Sequence, residues 1–118
     1  MASILIAEDI EIQATLIERY LSGTHTVVAV VNTADDAVEA AREVVPDLVV
    51  MDLNLREGHG FEATEAIKNF DSDIKVLVST ISAKRDVREQ AFAVGADEFL
   101  TKPYDQAELL ATVDDVLE

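Results

Sequence analysis

Five short runs rich in β-branched residues recur along the chain, each followed by a segment whose apolar residues return with helical period. The runs are Ser3–Ala7, Thr26–Val31, Asp47–Asp52, Lys75–Thr80 and Glu98–Thr101. Parallel strands need long crossovers, usually helical, so five such units restrict the chain to an α/β architecture. The expected fold is a five-stranded parallel sheet with five helices covering both faces through right-handed crossovers.

The helical segments carry their own punctuation. The first spans about Ile10–Ser22, with Leu16, Ile17, Tyr20 and Leu21 on one face, and Gly23 suits its end. Thr33 offers an N-cap hydroxyl, with a carboxylate three residues on, for a helix through about Val44 that Pro46 cannot prolong. A polar loop, Asn54–Gly60, leads to a third helix around Phe61–Phe70, whose apolar face is the weakest of the set. The fourth, about Lys84–Val94, is expected to bury Val87, Ala91 and Val94 before stopping at Gly95. Asp105 opens the last helix, with Leu109, Leu110, Val113, Val116 and Leu117 inward.

At 118 residues the chain is expected to form one domain, 1–118, without an output domain, either standing alone or excised from a longer protein. Asp and Glu number 24 against 9 Lys and Arg, a formal net charge of −15. Such a surface disfavours nucleic acid and anionic membranes, whose phosphates need neutralising. The absence of cysteine excludes disulfides, thiolate-held metals and thiol catalysis. The longest apolar run, Val27–Val31, is far too short to span a bilayer, and no secretory signal is visible, so a cytoplasmic location is expected.

In open α/β sheets, ligands bind beyond the carboxyl ends of the strands. Those ends carry Glu8 and Asp9, then Asp52, then Ser79 and Thr80, and finally Lys102 before Pro103. Clustered carboxylates repel one another and call for a cation or for raised pKa values. Oxygen donors alone favour Mg²⁺, and a Mg²⁺ site beside a lysine suits a phosphoryl group. On residue type, either Asp9 or Asp52 can serve as nucleophile.

With these positions in place, the chain resembles the receiver domain of two-component response regulators from about Ser3 to its end. The matching segments are Ile4–Asp9, Asp47–Leu55, Val76–Thr80 and Gly95–Pro103. The resemblance, and not the periodicity, implies strand order 2-1-3-4-5 in a flavodoxin-like doubly wound sheet. It further implies that Asp52 accepts a phosphoryl group from a sensor histidine kinase or phosphotransfer protein. It assigns Mg²⁺ to Asp9, Asp52 and the Asn54 backbone carbonyl, with Glu8 acting through water. Lys102 and Thr80 would contact phosphoryl oxygens. Thr80 and Phe99 would form a switch reshaping the face of helix four, strand five and helix five, where an output partner binds. The Lys102–Pro103 bond is cis in that family, and the state is monomeric or a phosphorylation-dependent dimer. Beyond its own phosphorylation and dephosphorylation, such a domain is not an enzyme.

The sequence also departs from the family pattern. Glu8 stands where Asp is commoner, and Ile81 follows Thr80 where a small residue is usual. The loop after Asp52 lacks its usual proline, which lowers the order expected of it. Three other readings share parts of the pattern. A flavodoxin-like binding module wants a Ser/Thr/Gly phosphate cradle where Glu8-Asp9 stand. A haloacid-dehalogenase-like phosphatase wants an Asp where Asn54 stands. A binding module that is never phosphorylated differs only in its chemistry.

Among the remaining residues, His59 reads as a solvated loop residue, His25 carries no assigned role, and Phe92 and Phe99 read as core. Lys84, Arg85 and Arg88 form a rare basic patch on helix four, read as a solvated face and, more sharply, as a landmark for an acidic partner. The acidic excess itself suggests a high-salt cytoplasm, in which self-repulsion is screened.

Overall fold

A computed structural model describes all residues, 1–118. The elements are β1 (Ser3–Ala7), α1 (Glu11–Leu21), β2 (Thr26–Val31), α2 (Ala34–Val44), β3 (Leu48–Asp52), α3 (Gly60–Phe70), β4 (Lys75–Thr80), α4 (Arg85–Ala93), β5 (Glu98–Thr101) and α5 (Gln106–Leu117). The strands form one parallel sheet in the order β2-β1-β3-β4-β5, as expected.

Strand alternation divides the core in two. Leu5, Ala7, Val49, Met51, Val76 and Val78 face the side covered by α2, α3 and α4. Ile4, Ile6, Leu48, Val50 and Leu77 face α1 and α5, packing on Ile17, Leu21, Leu109 and Val113. Each of these large side chains, taken fully out of water, contributes roughly 1.5–3 kcal/mol. On α2 the buried positions are Ala34, Ala37 and Ala41, small residues that let the helix lie close to the sheet. Thr33 caps that helix by accepting from the Asp36 N–H at 3.0 Å.

Several sequence expectations are corrected here. The helix with the weakest buried face is α4, not α3: it buries Ala91 alone, while Val87 and Val94 are half-buried. By contrast α3 buries Ala63, Thr64 and Ile67. On α1 the inward position falls to Ala14, and Leu16 is exposed, because the buried arc of this helix is narrower than its apolar one. Phe92 is exposed too, with the Arg88 guanidinium 5.3 Å from its ring.

Asp97 is a strut. Its Oδ2 accepts from Lys68 Nζ at 2.9 Å and from the Val76 N–H at 2.8 Å. It thereby ties α3 and β4 to the turn that launches β5, which fixes where β5 delivers Lys102.

Candidate functional site

At the carboxyl end of the sheet, β1 delivers Glu8 and β3 delivers Asp52, both buried despite their charge. The Lys102 ammonium lies between them. It donates to Glu8 Oε1 at 2.5 Å and to Gln13 Oε1 at 2.7 Å, and reaches Asp52 Oδ2 at 3.4 Å. Lys102 N–H donates to the Thr80 carbonyl at 2.7 Å, which fixes its approach, and the Lys102–Pro103 peptide is cis. Burial holds the Glu8 carboxyl above its usual range and the adjacent Asp52 pushes it the same way, against the lowering contacts from Lys102 and the Ile10 N–H.

The loop from Asp52 to α3 is well tied without its proline. Asn54 N–H donates to Asp52 Oδ1 at 3.3 Å, and Asn54 bridges back to His59. Arg56 N–H donates to the Asn32 carbonyl and Ala34 N–H to the Glu57 carbonyl, both at 2.9 Å, lashing this loop to the β2–α2 turn. Gly60 then lies so close to β3 that an added Cβ would sit 2.4 Å from the Asp52 carbonyl oxygen. His59 is no bystander: it caps α3, its Nδ1 accepting from Phe61 N–H at 3.0 Å while Glu62 closes the capping box.

Not every strand-end residue converges. Asp9 and the Asn54 side chain are exposed at the rim, and no three acidic or histidine side chains approach closely enough to form a ready-made metal cage. Thr80 is buried, its Oγ1 accepting from Ser82 N–H at 3.2 Å. Phe99 is buried under the Arg88 guanidinium, 5.7 Å from the ring.

Two contributors, Tyr104 and Gln13, went unmarked among the strand-end residues read from sequence. Ser79 and Tyr104 share a hydroxyl–hydroxyl hydrogen bond at 2.8 Å, pinning the loop after Lys102 to β4. Burial pushes the Tyr104 phenol up to about 12, helped by the charges of Glu8 and Asp52 and opposed by the Ser79 bond. Gln13 is the second. Its only sequence signal is a Gln three residues into a helix whose N-cap, Ile10, has no side chain able to cap.

A doubly wound sheet in this order, with two buried carboxylates and a lysine at its carboxyl end, defines a receiver-type α/β domain. The sequence matches the response regulator receiver domain family over residues 4–114, and the chain belongs to that family. Receiver domains of response regulators work in two-component signalling. The chain is 30% identical to the chemotaxis protein CheY of Halobacterium salinarum, over 97% of this chain and 95% of that one. It is 34% identical to the transcriptional regulatory protein ZraR of Klebsiella oxytoca, again over 97% of this chain but only 26% of the relative. Among solved structures, the signal receiver domain of a LuxO repressor protein from Vibrio parahaemolyticus superposes with a TM-score of 0.91 at 26% identity. That superposition covers 98% of this chain and 89% of the other.

Proposed function

We propose that Asp52 is the phosphoacceptor of this receiver and that Glu8, Asp9, Lys102 and Thr80 serve its phosphorylation. The observation that carries the reading is the buried Glu8–Lys102–Asp52 cluster, because two carboxylates withdrawn from water around one ammonium favour a further cation and a phosphoryl group. The donor set suits Mg²⁺, which takes one or two carboxylates and keeps its waters rather than needing a closed cage. Asp52, Asp9 and the Asn54 carbonyl would hold it, with Glu8 acting through water. Bound there, Mg²⁺ supplies charge neutralisation for phosphoryl oxygens.

The protein's own groups supply the rest. Asp52 attacks phosphorus in line as the bond to the donor's leaving group breaks, P–N in a phosphohistidine and P–O in acetyl phosphate, and the leaving group departs with the electron pair. Lys102 neutralises one oxygen. Thr80 accepts from Ser82 through a lone pair, so its hydroxyl proton remains free to donate to another oxygen. The physiological donor is a phosphohistidine on a sensor kinase or phosphotransfer protein. A phosphoryl group adds roughly −1.5 to −2 charges. Drawing Thr80 toward it repacks the β4–α4 segment against Phe99, changing the α4–β5–α5 face presented to an output partner.

The test is incubation with acetyl phosphate and Mg²⁺, read by intact mass. A single phosphoryl adduct, lost with chelator and absent in Asp52→Asn, supports the reading. No adduct, or one that survives Asp52→Asn, overturns it.

A further inference from the structure

Gln13 occupies the third position of α1, after the N-cap Ile10. A glutamine there ordinarily reaches back to the N-cap backbone N–H. That donor is already taken, since Ile10 N–H donates to Glu8 Oε2 at 3.1 Å. The Gln13 carboxamide instead turns into the site, where Oε1 accepts from Lys102 Nζ at 2.7 Å. An ammonium has no lone pair, so the atom facing it is necessarily the amide oxygen.

Lys102 has three N–H donors, and the site offers three acceptors. Glu8 and Gln13 hold two of them at 2.5 and 2.7 Å. The third reaches Asp52 Oδ2 at 3.4 Å and is the loose one. We propose that Gln13 is a positioning residue for Lys102, bracing the ammonium with a neutral acceptor so that its charge and its third donor remain available at Asp52.

The proposal rests on the reading of Asp52 as phosphoacceptor. Phosphorylation forms a bond from an Asp52 carboxylate oxygen to phosphorus as the P–O bond of acetyl phosphate breaks and acetate leaves with the electron pair. Anionic oxygens then stand beside the loosely held donor, while Glu8 and Gln13 keep the other two. Glu8 cannot brace the lysine alone without cancelling its charge. An amide supplies direction without that cancellation, and it ties the first turn of α1 to the chemistry.

The experiment compares Gln13→Leu with the unsubstituted chain, following the adduct by intact mass at saturating acetyl phosphate and Mg²⁺. Gln13 borders an open, largely apolar groove shared with Ile17 and Tyr104; Gln13→Met is the second variant if α1 is disturbed. A hydrogen bond to a charged group justifies an expected fall in rate of roughly tenfold, with the Mg²⁺ concentration for half-maximal rate unchanged. In a Lys102→Ala background the same substitution changes nothing, because the brace has nothing to hold. A Gln13→Leu rate equal to the parent's, or an equal loss with and without Lys102, overturns the proposal alone. Absence of any adduct on the parent chain overturns the phosphoacceptor reading and this proposal together.

Discussion

Lys102 Nζ lies 2.5 Å from Glu8 Oε1 but 3.4 Å from Asp52 Oδ2, so the lysine is anchored on one carboxylate and merely within reach of the other. The two acids thereby hold different jobs. Glu8 holds the ammonium closely, while both Asp52 oxygens are held only loosely, Oδ2 by Lys102 at 3.4 Å and Oδ1 by the Asn54 N–H at 3.3 Å.

The Glu8 carboxyl, raised by burial and by Asp52, sets a pH signature for the metal-free protein. A raised acid binds its proton more tightly when folded. Its stabilising share is therefore present below the unfolded value and is lost as pH rises through the folded one. Glu8→Gln, which mimics the protonated acid, is expected to melt higher than the parent at neutral pH in chelator. The advantage should vanish in acid, below the ordinary value of 4.5. Thermal melts across that range check it, and a pH-independent difference contradicts it.

Gly60 is fixed by contact rather than by conformation. A methyl group there meets the Asp52 carbonyl oxygen at 2.4 Å and the Leu53 Cα at 2.8 Å, so backbone has to move. Gly60→Ala is expected to cost about 1–3 kcal/mol. It should slow Asp52 phosphorylation beyond what partial unfolding explains. Denaturant melts paired with adduct formation measure both.

Burial pushes the Tyr104 phenol up to about 12, so the neutral form that pairs with Ser79 is favoured well above the ordinary tyrosine range. A raised phenol stabilises the fold below the unfolded value near 10 and ceases to do so as pH climbs through about 12. The chain has two tyrosines and no tryptophan, so the phenolate absorbance of a Tyr20→Phe variant reports Tyr104 alone. A midpoint near 10 would contradict the buried pairing. Tyr104→Phe, which orphans the Ser79 hydroxyl, is expected to cost about 1 kcal/mol.

The net charge of −15 includes few pairs that relieve it. Of the ion pairs, Lys102 serves the site and Lys68–Asp97 braces β5, while the exposed Arg85–Glu89 pair contributes little. Self-repulsion of the remaining acids is therefore expected to make the melting temperature climb steeply with KCl. A flat response would remove the high-salt reading.

The fold was legible because period is local: each strand and helix announces itself within its own few residues. Glu8, Asp52 and Lys102 were legible because strand ends in such a sheet converge. What stayed hidden depends on partners far along the chain. Asp97 looked like surface until Lys68 and Val76 came to it, 29 and 21 residues away. His59 looked solvated because histidine is an uncommon cap, and Gln13 carried no assignment because its partner, Lys102, lies 89 residues away. Asp9 stands apart from the buried cluster. Adjacent to Glu8 in sequence, it lies at the rim, since neighbouring side chains leave a strand end in different directions.

The most direct measurement of the central claim is chemical mapping of the phosphorylated residue. After treatment with acetyl phosphate and Mg²⁺, borohydride reduces an aspartyl-phosphate to homoserine, which peptide mass spectrometry locates. The account predicts homoserine at position 52 alone. Homoserine at Asp9, or its absence everywhere, would contradict it.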